Sequence, residues 1–199
     1  MRNLINWAVA ALLTSAGCAG AVVSELPVSG IAALDATGFP GTTGPLPSLT
    51  VLSGGPTEAM LTAPGGLFRE SGVLTTEFDL DPIDVSFTAP VFAIAFNVAI
   101  IDFGLMAIAG TMRFTIDGQT FDKSLPAIAD NVFAFQSDTS FTTASVEVLD
   151  YDLAASSVAF VGMTEFGASA TPVPVPAGGL LLGTAILTLG ARRRGRVSA

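Results

Sequence analysis

A chain of 199 residues with 17 acidic and eight basic side chains, no histidine and one cysteine excludes several functions before any motif is read. Without histidine there is no Ser-His or Cys-His nucleophile, and the commonest general base and metal ligand are missing. Between Val22 and Ala191 three basic residues, Arg69, Arg113 and Lys123, stand against all 17 acids. That balance of −14 repels nucleic acid and anionic lipid, favours solubility and can attract divalent cations.

Met1-Arg2-Asn3 precedes an apolar run from Leu4 to about Leu13, then small residues ending in Ala19-Gly20-Ala21. A short positive region, an apolar stretch and an A-x-A site are the parts of a secretory signal. Residues 1–21 are expected to be a signal peptide, cut by signal peptidase before Val22, whose narrow pocket needs those small side chains. Cys18 would leave with it, so the mature chain would hold neither a disulfide nor a cysteine metal site. One alternative is a lipoprotein signal lipidated at Cys18, with Ser15 where an aliphatic residue is preferred. The other is a buried first helix, against which stand the missing polar face and the missing helix-stop chemistry.

Residues 22–48 are rich in Gly, Pro, Ser and Thr, and the run Phe39 to Pro45 must turn repeatedly. An irregular lead-in, or an edge segment pinned to the domain, is expected there. Residues 49–167 read as strands. Before the first clear one lies Asp79-Leu80-Asp81-Pro82-Ile83-Asp84, the densest carboxylate run. Ca²⁺ takes six to eight oxygens, so Asp79, Asp81 and Asp84 are candidate ligands, although the EF-hand glycine and terminal Glu are absent. A solvated acidic turn is the plainer reading.

Asp84 to Thr88 alternates polar and apolar, the mark of a strand with one buried face. Val91 to Ile101 carries Phe92, Ile94, Phe96, Val98 and Ile100 on one face and mostly alanine on the other, as a central strand would. Thr111 to Ile116 turns Met112, Phe114 and Ile116 inward. Asp117-Gly118 then joins it to Gln119-Thr120-Phe121 through a type I′ turn, because both central residues need positive φ. Asp130-Asn131 and Asp138 read as ordinary loop residues with a minor Ca²⁺ candidacy. Asn131 to Gln136, Ala144 to Leu149 and Ser157 to Met163 complete the strands, and Asp150-Tyr151-Asp152 is a second acidic turn. Eight to ten short strands at roughly 8–15-residue intervals predict an all-β fold, a β-sandwich of jelly-roll-like form.

No G-x-S-x-G, phosphate loop or metal-ligand spacing is present, and no pair among the acids stands out as a glycosidase dyad, so no catalysis is expected. Sugar platforms use exposed Trp or Tyr. Trp7 would leave with the signal, which makes Tyr151 the glycan-binding candidate, with a structural role as the plainer reading.

Residues 168–199 form the tail. Gly167 to Thr171 reads as a linker, and Thr171 to Pro176 has alternate prolines that forbid helix and hold the chain extended. Ala177 to Ala191 is an uncharged run of 15 residues. As a transmembrane helix it spans roughly 22 Å, short against a hydrocarbon core of about 30 Å. It ends at Arg192, Arg193, Arg194 and Arg196. Such a cluster stays on the cytoplasmic side, so the preceding domain faces outward. A buried core helix does not normally end in four arginines.

This three-part tail resembles the PEP-CTERM class of sorting signals, and most closely its V-P-L-P-A variant. The resemblance lies in Val173, Pro174, Val175, Pro176 and Ala177, in Gly178 to Leu182, and in the arginine cluster. Val175 departs from the variant's leucine and leaves the proline spacing intact. The resemblance implies an exosortase-type enzyme that cuts near the motif, export by a Gram-negative bacterium that makes exopolysaccharide, and an inner-membrane-anchored precursor. The domain is also similar to the sandwiches that commonly precede such tails, in Ser86 to Phe96, Phe114 to Gly118 and Phe133 to Phe135. The expected function is a non-enzymatic surface or biofilm-matrix role, the alternative a carbohydrate-binding or Ca²⁺-dependent adhesive module.

Overall fold

The computed structural model of the chain describes residues 21–26, 35–41, 43–52 and 57–173. Among them the regular structure is entirely β, in thirteen strands. The lead-in supplies three short ones, β1 (Val23–Glu25), β2 (Asp35–Gly38) and β3 (Gly44–Leu46), so its described part forms edge strands. Then follow β4 (Leu49–Leu52), β5 (Glu58–Thr62), β6 (Leu67–Glu70), β7 (Val73–Thr76) and the 19-residue β8 (Ile83–Ile101). The rest are β9 (Ala107–Ile108), β10 (Gly110–Ile116), β11 (Gln119–Leu125), the 21-residue β12 (Asn131–Tyr151) and β13 (Phe160–Ser169). Every pairing is antiparallel.

β8 and β12 organise the others. Near its start β8 buries Ile83, Val85 and Phe87 in the main core, but farther along it buries Ile94, Phe96, Val98 and Ile100 there. Side chains alternate with a period of two, so this change from odd to even positions means that the strand turns over. The change occurs just past Thr88-Ala89-Pro90, which is exposed and includes a residue with no N–H for the ladder. There the pairing with β12 slips from Gln136↔Ala93 to Phe141↔Val91. β12 turns over at the same level, from Phe135 and Phe141 to Ala144, Val146 and Val148.

Each half therefore keeps its own partners. The first half of β8 lies between β5 and the second half of β12, with β4 outside β5 and with β10 and β11 outside β12. The second half lies between β13 and the first half of β12, flanked by β1 on one side and β7, β6 and β3 on the other. Rings from the two sets meet in the core: Phe87 stacks on Phe166 at 5.8 Å, while Phe114 with Phe96 at 5.6 Å and Phe121 with Phe135 at 4.9 Å are tilted pairs. This open antiparallel network, bent over one phenylalanine-rich core, is consistent with a β-sandwich whose corners are made by strands that pass from one layer to the other.

The Asp117-Gly118 hairpin forms with φ of 50° and 77°, and Met112, Phe114 and Ile116 are fully buried. Three strands differ from expectation. Asp84–Thr88 and Val91–Ile101 are one strand, as are Asn131–Gln136 and Ala144–Leu149. The last strand begins at Phe160 instead of Ser157, because Ser156 to Ala159 is held in a turn by Ser156 Oγ and Asp79. It runs on to Ser169, three residues into the segment expected to be linker, with Gly167 paired to Ala95, Ala168 to Ile94 and Ser169 to Ala93. On the outer face of the central strands, Ala93, Ala95 and Ala134 form a small buried cluster with Leu26.

Candidate functional site

The carboxylates of the Asp79 run are turned to separate tasks. Asp79 Oδ1 accepts the Ala159 N–H at 2.6 Å, and Asp81 Oδ2 accepts the Gly65 N–H at 2.8 Å. Each fastens the loop between β7 and β8 to a different neighbour, and Leu80 within it takes a left-handed φ of 60° while its N–H reaches the Ala159 carbonyl. Asp84 stands on β8 between Thr62 and Ser145, and partial burial pushes its carboxyl up from the usual aspartate range. Among the described residues no group of three or more His, Cys, Asp or Glu converges.

The other acidic candidates with recorded partners are also held in structural contacts. Asp130 Oδ1 accepts from Asn97 Nδ2 at 3.3 Å, and buried Asn131 donates to the carbonyls of Val98 and Ile128. Asp138 Oδ1 accepts the Val22 N–H at 2.8 Å. Asp152 Oδ1 accepts the Ala154 N–H, a turn motif local to its loop. Tyr151 packs its half-buried ring on the core and donates its hydroxyl to the Ser157 carbonyl at 3.2 Å, so the ring braces the β12–β13 loop. That placement gives it a structural task. Of the sorting motif, Val173 is half-buried against the Ala93, Ala95 and Ala134 cluster. Pro174, Val175, Pro176, Ala177, the four arginines and residues 1–20 lie outside the described residues.

A concave feature lies elsewhere. A cleft of about 280 Å³ is lined by Phe68 and Glu70 of β6, Glu77, the loop residues Phe103 and Leu105, and Phe160 of β13. Asp102 holds the loop, since its Oδ1 accepts the N–H groups of Gly104 and Met106, both at 2.8 Å. Leu105 takes a φ of 60°, and Phe103 is 87% exposed. An aromatic wall with carboxylates beside it suits a ring that offers a C–H face and polar or cationic edges. Sequence reasoning passed this loop by. The available signal was two apolar side chains, Phe103 and Met106, in a glycine-containing turn where burial was not to be expected.

No family model matches this chain, and neither a curated protein nor a solved structure matches it.

Proposed function

We propose that the chain is an exported Gram-negative protein of the cell surface or extracellular matrix, structural rather than catalytic, with a jelly-roll-like sandwich as its body. The observation that carries this reading is the order of polarity along the sequence. A short positive region and apolar run are followed by a body of −14, then alternate prolines, 15 uncharged residues and four arginines within five positions. A bilayer holds the apolar run while the guanidinium groups stay in the cytoplasm and the anionic body emerges on the other side. Resemblance to PEP-CTERM tails supplies the next step, in which an exosortase-type enzyme recognises Val173 to Ala177 and removes the arginines. The freed or re-anchored domain then occupies the envelope or a biofilm beside exopolysaccharide.

Intact mass of the product recovered from a Gram-negative culture tests the proposal. The expected species lacks residues 1–21 and the arginine cluster. A full-length chain in the cytosol, or a periplasmic reporter that becomes active when fused after Gly195, would overturn it.

A second reading, a glycan-binding module, is favoured by the cleft beside Phe103. Stacking of a flat ring on an aromatic side chain is worth about 1–3 kcal/mol where the ring is a nucleobase. A sugar contact at the low end of that range means that Phe103→Ala should weaken glycan-array binding by roughly tenfold. Tyr151→Ala should leave it unchanged apart from lower stability. Equal binding by the Phe103 variant and the parent would remove the cleft from consideration.

A further inference from the structure

Val22 sits where the expected signal ends and β1 begins, and β12 holds it from both sides. Its N–H donates to Asp138 Oδ1 at 2.8 Å, and the Asp138 N–H donates to the Val22 carbonyl at 3.3 Å. Gln119 of β11 brackets the same place, with Nε2 donating to the Ala21 carbonyl and Oε1 accepting the Val23 N–H at 3.4 Å. A peptide N–H is neutral, and a neutral oxygen would satisfy it. Asp138 brings a full negative charge to that N–H, and it takes part in no ion pair among the described residues. The pairs found there join Arg113 to Asp122 and Glu147, and Lys123 to Glu25.

We propose that the Ala21–Val22 bond is the one hydrolysed on export, and that the new α-ammonium of Val22 is captured by the Asp138 carboxylate, which pins the mature N-terminus to β12. The inference rests on the export reading and adds a role for Asp138. Water supplies the balance: the C–N bond breaks, the departing peptide leaves with an Ala21 carboxylate, and the Val22 nitrogen takes up protons to become an ammonium. Gln119 Nε2 loses the Ala21 carbonyl and turns to solvent, while the N-terminal contact changes from a hydrogen bond to a charge-assisted one. Other charges on the packed elements are Asp117, in the turn before Gln119, and the Lys123–Glu25 pair, which is already satisfied. Of these carboxylates it is Asp138 that holds the Val22 nitrogen.

The full chain, exported through its own signal, tests this. The recovered product is sequenced from its N-terminus and then acetylated briefly with N-hydroxysuccinimide acetate between pH 6 and 10. Peptide mass spectrometry reads the Val22 amine, with the Lys123 amine as internal reference. An ordinary α-amino group titrates near 7.7–8.0, and the carboxylate holds this one higher. Acetylation at pH 8 should therefore be about two- to fivefold slower in the parent than in Asp138→Asn, the range an exposed ion pair gives. Asp138→Glu, which keeps the charge, should remain slow. If the product starts at Val22 and labels equally fast in the parent and in Asp138→Asn, capture is refuted while export stands. An exported product starting elsewhere overturns the proposal, because Val22 then either still carries a peptide nitrogen or has left with the signal. A full-length cytosolic chain overturns the export reading with it.

Discussion

Asp84 carries a charge that the fold does not reward. It lies near the start of β8, flanked by Thr62 of β5 and Ser145 of β12, and desolvation raises its carboxyl above the ordinary value. The sign of the consequence follows from linkage. A carboxyl whose folded pKa exceeds its unfolded one binds its proton more tightly in the folded state, so ionisation at neutral pH costs stability. That cost fades as pH falls through the raised value towards the unfolded one. Asp84→Asn should accordingly melt higher than the parent at pH 7, with the gap closing in acid below the usual aspartate range. Thermal melts at pH 7 and pH 3 check this, and an Asn variant that melts lower at pH 7 would show the carboxylate to be held by something that favours its charge. The same residue marks the limit of reading a site from sequence. The spacing of Asp79, Asp81 and Asp84 shows three acids close along the chain, but it cannot show that Ala159 and Gly65, far away in sequence, present N–H groups to the first two.

At the scale of elements, legibility tracks how regular the alternation is. The β10–β11 hairpin can be read because Met112, Phe114 and Ile116 keep strict parity up to an Asp-Gly pair, and only small or turn-forming residues adopt two successive positive φ values. A second two-residue turn, Ser71-Gly72 between β6 and β7, has φ of 52° and 82° and escapes notice. Its flanks do not alternate, since Leu67–Glu70 has one buried residue followed by three half-buried ones and Val73–Thr76 buries three in a row, so no pattern announces them. β8 and β12 are each visible as two strands because a parity change looks like an interruption. In fact it marks one continuous strand that turns over, and in β8 Pro90 with its exposed neighbours Thr88 and Ala89 is the trace this leaves in sequence. β13 is blurred at its end by Gly167, which has no side chain to report a face, although its backbone is paired to both β2 and β8.

The whole molecule has two unlike ends. Ser24 of β1 pairs with Gln136, Gln136 with Ala93, and Ala93 with Ser169, so one row crosses β1, β12, β8 and β13. Three strand spacings of about 4.8 Å put the start of β1 and the end of β13 roughly 14 Å apart. Val22 and Thr171 thus lie at the same end of the sheet. The loop bearing Phe103 lies at the other end, where Ile101 pairs with Phe160 and Ala107. Circular permutation tests this geometry. Five or six residues of Gly/Ser linker, at about 3.3 Å each, should join Thr171 to Val22 without strain. New termini between Leu153 and Ala154, which are exposed, should leave one cooperative transition within a few degrees of the parent domain. Opening the same linked chain between Ala89 and Pro90 should abolish that transition, because it cuts a strand shared by both layers. If the permutant opened at Leu153 fails to fold while the one opened at Ala89 survives, Val22 and Thr171 do not meet on one row, and the shared row across β1, β12, β8 and β13 is the wrong picture.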